Sequence, residues 1–375
     1  MKVVHVIPTY NEKENILRMI DELERLAKKY PRWQTEIVIV DDYSPDHTAN
    51  IVKTLQKKYP NLHLVMKKKE GLGKALIVGY EYAMKKLKAD VIIPNDADFQ
   101  WEPADYPKLL KKIEEGYDVV VASRHVKGGK VIGWSFFRKI NHELSNSLLA
   151  WWLAGVHEVK DHAGNFKAIR VKNVLEKVPL FKMRNVGFSF QLHILYELSK
   201  VGAKFTEVPV VFRERKLGVS KIGLNRYYLR DVLEYIRSSI LIRIDRSKMF
   251  FKYVVVGGTG FIIQTIISKI GIMININPGL AVSLGAEGAI ISNFLMNNSW
   301  TFSHKKITGS KKFSKFMQFN IVSIGSIIIQ GLVVGIGTYF FGRSTWFLFM
   351  VFSIIFIVIP YSYFIYNRFI WKTHK

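Results

Sequence analysis

The chain has 375 residues, enough for one substantial domain and a smaller one, and it contains no cysteine, which excludes disulfides, a thiolate nucleophile and Cys-ligated metal. Its formal net charge of +25 suits nucleic acid, anionic lipid or phosphate-bearing ligands. Zinc-finger spacings and RNA-binding signatures are missing from the sequence, so nucleic acid is not an expected partner.

Taken in chain order, the first apolar run, Val3–Ile7, has strand length and breaks into Pro8-Thr9-Tyr10-Asn11-Glu12. It is too short for the core of a signal peptide, and the N-terminal half is expected to stay unexported. Ile16, Ile20, Leu23 and Ala27 then fall on one helical face, with Asn11-x-x-Glu14 as a cap. Strand-length runs recur at Ile37–Val40, Leu62–Met66, Val91–Ile93 and Val119–Ala122, with helical patterns between them. That alternation predicts an α/β fold with a mostly parallel sheet covered on both faces. Such sheets bind ligands at the carboxyl ends of their strands. Polar motifs stand at those positions: Asp41-Asp42, Glu70-Gly71-Leu72-Gly73-Lys74, Asn95-Asp96-Ala97-Asp98-Phe99-Gln100 and Ser123-Arg124.

Asp96-x-Asp98 puts two carboxylates on one turn, with the Gln100 carbonyl two residues on. Oxygen-only ligands suit Mg²⁺ or Mn²⁺, ions that bridge protein carboxylates to substrate phosphates. A solvated turn is the plainer reading of such a motif alone. Gly71-x-Gly73-Lys74 lets backbone approach a ligand, with Lys74 near phosphate, or is a simple turn; it lacks P-loop spacing. His5, His47 and His63 have no metal-ligand spacing and read as structural or surface residues.

Read together, VIPTYNEKENI, EIVIVDDYSPDHT, GLGKALIVGY, NDADFQ, SRHVKGGKVIGW and VPVVFRERKLGVSK resemble the family 2 inverting glycosyltransferases of GT-A fold, most closely the dolichol-phosphate mannose synthase group. They run in family order from residue 3 to 221. The resemblance implies a Rossmann-like GT-A domain that transfers one hexose from a nucleotide-sugar to dolichyl or polyprenyl phosphate. GDP-mannose is the favoured donor and UDP-glucose the alternative; a lipid-linked-sugar flippase or anchor with an inactive transferase half is a further reading. It implies that Pro8, Tyr10, Glu12 and Asp42 hold base and ribose, and that Asp96 lies near ribose and diphosphate. Asp98 and Gln100, with Asp96, would hold the metal. Arg124, Arg138 and Arg215, with Ser220 and Lys221 nearby, would face the acceptor phosphate. Asp96, Asp98, Arg124 and Arg138 are thus the expected catalytic set.

Three stretches depart from the family pattern: Trp101-Glu102-Pro103, Asp161-His162-Ala163-Gly164-Asn165-Phe166, and Phe190-Gln191-Leu192-His193. All lie toward the sugar and acceptor side. A phosphate monoester is already anionic at neutral pH, so its attack needs no general base. Processive synthases of this fold attack with a hydroxyl and carry Gln-x-x-Arg-Trp, a motif this sequence lacks.

The C-terminal part differs in character: residues 246–375 hold 13 Lys/Arg against one acid, Glu287, whereas residues 1–245 hold 42 against 29. Apolar segments at about 252–274, 279–297, 317–341 and 345–366 each approach the ~20 residues that span a bilayer. Basic residues before the first segment, between the second and third, and in the tail predict a multi-pass protein with both termini and the catalytic domain cytoplasmic. Phe251-x5-Gly257 recurs as Phe319-x5-Gly325, and Phe294-x2-Asn297-x2-Trp300 recurs loosely as Phe364-x2-Asn367-x3-Trp371, which suggests two related hairpins. The pattern resembles GtrA-like membrane domains. Leu224, Tyr228, Val232, Tyr235 and Ile236 share a helical face, as in an interfacial helix on anionic lipid or a helix that caps the domain. The expected divisions are therefore 1–223 catalytic, 224–249 juxtamembrane and 250–375 transmembrane. Glu287 is expected to pair with Lys269 in a structural role, or else to form part of a path for lipid-linked sugar across the bilayer.

Overall fold

The computed structural model describes residues 1–183, 187–214, 226–276, 278–342 and 345–371. Arg215, Ser220 and Lys221 lie outside the described residues. The chain divides into two compact units, Met1–Ile244 and Asp245–Lys375.

In the first unit, strands and helices alternate: β1 (Lys2–Thr9), α1 (Lys13–Lys29), β2 (Gln34–Asp41), α2 (Thr48–Gln56), β3 (Leu62–Met66), α3 (Leu72–Lys85), β4 (Val91–Pro94), α4 (Tyr106–Glu114) and β5 (Val119–Ser123). There follow β6 (Lys130–Ile132), α5 (Phe136–Glu143) running into a π-helical stretch Leu144–Leu153, β7 (Lys167–Arg170), α6 (Ser189–Lys200), β8 (Phe205–Pro209) and β9 (Val211–Arg213). The main sheet has the order β3-β2-β1-β4-β7-β5-β8. All its pairings are parallel except those of β7, which runs antiparallel between β4 and β5. β6 and β9 pair separately. The five strands read from the sequence are present; the short β6, β7, β8 and β9 carry too little apolar pattern to be read without their partners.

Strand chemistry explains the layering. Val4, Val6, Val38 and Val40 point to a core completed by α3 and α6. Their neighbours Val3, Ile7, Ile37 and Ile39 point the other way, to a core completed by α1 and α4. Gly79 lets α3 lie close on the sheet, since a Cβ there would sit 2.3 Å from Val6 Cγ1. The chain steps from β1 outward to β2 and β3, then returns to place β4 on the other side of β1. Strand order thus reverses between β1 and β4, and the crevice at their carboxyl ends is where ligands bind in such sheets.

Helix α7 runs from Arg226 to Met273 without a break. The expected divisions separate a juxtamembrane stretch, 224–249, from a first span at about 252–274; residues 244–251 carry no Gly or Pro, so nothing interrupts the helix. Tyr235 and Ile242 are buried in the core of the first unit, and Ser189 donates to Glu234 at 2.7 Å. This part of the helix therefore caps the domain. Its other side leaves Leu229, Leu233, Ile240 and Ile244 exposed in a helical stripe.

The second unit continues with α8 (Pro278–Met296), α9 (Lys311–Phe341), α10 (Trp346–Ser353) and α11 (Ile359–Ile365), the last two joined and followed by π-helical turns. Among the described residues one helix, Leu229–Gly271, is long and apolar enough to cross a membrane, and a shorter apolar helical stretch runs Ile355–Ile370. Small residues let α8 approach α7: a Cβ on Gly285 would lie 2.4 Å from Ser268 Oγ, and one on Gly288 would lie 2.5 Å from Ile267 Cδ1. This arrangement overturns the expected Lys269–Glu287 pair. With Gly285 and Gly288 turned to α7, Glu287 projects elsewhere and accepts from Asn320 Nδ2 on α9 at 3.4 Å. Phe294, Phe302, Phe319, Tyr366 and Trp371 form a buried aromatic cluster with Ile370 packed among them, and Trp371 Nε1 donates to Asn298 Oδ1 at 3.1 Å.

Candidate active site

The reversal point gathers the ends of β1, β2 and β4. Asp41 is fully buried and accepts from Thr9 Oγ1 at 2.9 Å, from Ser44 N at 2.8 Å and from Ser44 Oγ at 2.7 Å. It ties the first two strand ends together and has a structural part. Its neighbour Asp42 takes Lys67 Nζ at 3.0 Å. Burial pushes the Asp42 carboxyl above the ordinary carboxylate range, with the Lys67 bond opposing it. Pro8 is half-buried in β1 opposite Val40, and Tyr10 lies under Lys69, whose Nζ is 3.4 Å from the ring centroid. Glu12 accepts from Asn15 Nδ2 at 3.0 Å, and its own backbone N–H donates to Thr48 Oγ1 at 3.1 Å. Lys74 sits half-buried in the first turn of α3, whose cap Gly71 has φ of 105°, a conformation that favours glycine.

At the end of β4, Asp98 and Gln100 are buried, at 7% and 8% exposure, while Asp96 is half-buried. Phe99 between them has φ of 57°, so the backbone turns sharply through the motif. The Gln100 N–H donates to Asp98 Oδ1 at 3.1 Å, and its backbone carbonyl accepts from Arg213 N at 3.1 Å. Its side-chain Nε2 is buried with no hydrogen-bond partner among the described residues. An orphaned amide beside two carboxylates fits a Mg²⁺ or Mn²⁺ site, because the amide turned over presents its oxygen to a hard cation. Asp96 Oδ1 accepts from Asn165 Nδ2 at 3.0 Å.

The arginine side is differently built. Arg124, expected at the acceptor phosphate, has Nε and Nη2 committed to the two oxygens of Asp161, each at 2.7 Å, and its backbone N–H also reaches Asp161 at 3.0 Å. Burial alone would raise the Asp161 carboxyl, but the Arg124 charge and hydrogen bonds outweigh it and hold it far below the ordinary range. The Arg124 guanidinium lies 4.9 Å from the Trp101 ring, 5.4 Å from Trp134 and 5.1 Å from Phe212. Arg138 covers Trp134 at 4.5 Å and makes a longer ion pair, 3.5 Å, with the more exposed Glu214. The structure thus brings both arginines to one indole. His125, His142 and Asp161 hold ligand atoms within 4.8 Å of one another. Arg124 already occupies Asp161, so this trio reads as a packed polar cluster; burial, with help from Arg124, draws His142 down to about 3.

Residues 5–171 match the family described as glycosyl transferase family 2, and residues 252–371 match the GtrA/DPMS transmembrane domain. Over 338 residues, 89% of this chain and 90% of the relative, the sequence is 32% identical to dolichol-phosphate mannosyltransferase from Pyrococcus furiosus. The chain belongs to glycosyl transferase family 2. Polyprenol monophosphomannose synthase from Mycolicibacterium smegmatis is 32% identical over 65% of this chain and 89% of its own length. Undecaprenyl-phosphate mannosyltransferase from Micrococcus luteus is 32% identical over 60% of this chain and 88% of its own length.

For this family 2 transferase, sequence reasoning missed several residues that complete the site. Asp161 was read only as a pattern departure, although an acid preceding a buried strand was a usable signal. Lys67 lacked any signal, because only the fold of β3 beside β2 brings it to Asp42. Phe136, Phe137, Trp151 and Trp152 are exposed along α5 and the stretch after it. Their aromatic density was visible in the sequence; their exposure was not.

Proposed function

We propose that this chain transfers a single mannose from GDP-mannose to a polyprenyl phosphate at the cytoplasmic face of the membrane, inverting the anomeric centre. The observation that carries this reading is the convergence of Asp42, Asp96, Asp98 and Gln100 at the strand-reversal crevice of a family 2 fold. The three relatives described above, each named for mannose transfer, support mannose over glucose.

Asp96, Asp98 and Gln100 would hold a Mg²⁺ or Mn²⁺ ion, which when bound neutralises the diphosphate. Pro8, Tyr10, Glu12 and Asp42 would bind base and ribose, with Lys74 and the lysines around Asp42 adding positive charge near phosphate. Arg138 would exchange its long contact with Glu214 for the acceptor phosphate, with Arg215, Ser220 and Lys221 also assigned there. Arg124 would act from behind, held by Asp161, to shape the aromatic wall formed by Trp101, Trp134 and Phe212. An acceptor phosphate oxygen then bonds to the anomeric carbon while the bond from that carbon to the β-phosphate oxygen breaks. The electron pair leaves with GDP, and no proton needs removal.

The acceptor's phosphate sits at headgroup level and its tail in lipid, so the cleft must be held against the membrane. Exposed Phe136, Phe137, Trp151 and Trp152, and the Leu229–Ile244 stripe of α7, suit insertion at that interface. The GtrA/DPMS match to residues 252–371 supports an integral anchor. Four spans in two hairpins, with cytoplasmic termini and basic cytoplasmic loops, remain the topology we assign.

The test is release of GDP from GDP-mannose that depends on both divalent metal and polyprenyl phosphate. Asp98→Ala should abolish it while leaving a cooperative thermal unfolding transition, lowered only modestly by loss of the Gln100 N–H bond. A fully active Asp98→Ala enzyme would rule out the metal assignment.

A further inference from the structure

A line of buried polar groups runs from the interior of the sheet to the metal motif. Lys167 lies in β7, opposite Val121 of β5, and its side chain is fully buried. Its Nζ donates to Gln191 Oε1. Gln191 Nε2 donates to Asn165 Oδ1 at 2.9 Å, and Asn165 Nδ2 donates to Asp96 Oδ1 at 3.0 Å. Gln191 and Asn165 are themselves buried, at 1% and 4% exposure.

The polarity of this line is dictated by its ends. An ammonium has donors only and an ionised carboxylate acceptors only. The two amides between them satisfy both ends in one orientation alone, each passing its N–H toward Asp96. We infer that Lys167, Gln191 and Asn165 form a positioning relay that fixes the orientation of Asp96 toward the metal and diphosphate. The inference rests on the proposed metal role of the Asp96–Gln100 motif.

The chemistry favours a relay over a direct ion pair. A lysine bonded straight to Asp96 would neutralise the carboxylate and compete with the cation. Passed through two amides, its positive charge supports the anion while a neutral amide N–H, rather than a competing cation, meets Oδ1. As a purely structural device the lysine is poorly chosen, because a well-packed apolar side chain fills such a site without the desolvation of an ammonium. Burial works against the Lys167 ammonium, while the nearby charges of Asp161 and Asp96 favour it. Among the described residues it forms no ion pair with either. Asn165 and Gln191 both fall in stretches where this sequence departs from the family pattern.

The experiment uses the full chain in detergent with GDP and reads bound against free Mn²⁺ by electron paramagnetic resonance, without acceptor. Lys167→Met, Gln191→Glu and Asn165→Ala should each weaken Mn²⁺ binding roughly 10–100-fold, the loss typical of outer-shell partners. In the transfer assay, the Mn²⁺ concentration for half-maximal rate should rise far more than kcat at saturating Mn²⁺ falls. The double variant Lys167→Met/Asn165→Ala should be no weaker than Asn165→Ala alone, since both act through the same amide. Gln191→Glu keeps an acceptor for Lys167, and so the buried partner, while removing the donor to Asn165. Wild-type Mn²⁺ affinity in that variant overturns the relay even where Lys167→Met fails to fold, and so does an additive double variant. Absence of mannosyl transfer by the wild-type chain would count against the proposed function alone, because the Mn²⁺ readout needs no acceptor.

Discussion

Asp161→Asn removes one charge from a pair that has almost no contact with water: the side chains of Arg124 and Asp161 are 4% and 0% exposed. Both oxygens of Asp161 are used at 2.7 Å by the guanidinium, and the Arg124 N–H adds a third bond at 3.0 Å. The amide preserves shape and one acceptor, yet leaves a guanidinium buried among Trp101, Trp134 and Phe212. Breaking a buried pair in this way costs about 3–5 kcal/mol. For a unit of this size that corresponds to a fall in Tm of roughly 6–20 °C. Thermal unfolding of the full chain, followed by tryptophan fluorescence, reads the loss directly, because Trp101 and Trp134 line the pair. The companion Asp161→Leu/Arg124→Met should recover most of the stability, since it removes both charges and keeps the volume. An Asp161→Asn variant within about 1 kcal/mol of wild type would refute the argument that this pair holds the aromatic wall around Arg124 together.

Arg138→Ala should raise the acceptor KM on the order of tenfold or more while leaving nucleotide-sugar affinity unchanged, the loss of one charge-assisted contact; equal losses in donor calorimetry and acceptor kinetics would contradict it. Burial draws both His5 and His142 down to about 3. The unfolded chain therefore binds more protons than the folded one between about pH 6.5 and 3, and stability should fall on acidification through that window by up to ~1.4 kcal/mol per pH unit for each histidine. Urea unfolding at stepped pH checks this, and His142→Gln should flatten the slope.

Much of the catalytic half was legible because local pattern and fold agree. Val/Ile runs buried on both faces can only be central strands, and the topology rule then places Asp42, Asp96 and Asp98 at one end of the sheet. The ordered motifs likewise carry the family resemblance in the sequence alone. The arginine side of the candidate site was less legible. Arg124 and Arg138 look alike in sequence, yet one is clamped by Asp161 and the other rests on Trp134 with a long contact to Glu214.

What the amino-acid sequence determined by itself was whatever depends on periodicity and composition: the α/β alternation, the carboxylate-bearing turn after β4, and the change to apolar sequence near residue 246. What only the tertiary structure decided was partnership between residues far apart in the chain. Lys67 meets Asp42, Asp161 takes Arg124 over 37 positions, and Asn165 reaches Asp96 over 69. Glu287 was expected to meet Lys269 at similar depth, but Gly285 and Gly288 turn that face of α8 to α7 and send the carboxylate to Asn320. Depth along a helix can be counted from sequence; the direction a side chain takes around it depends on which face packs, and close packing of small residues set that direction here.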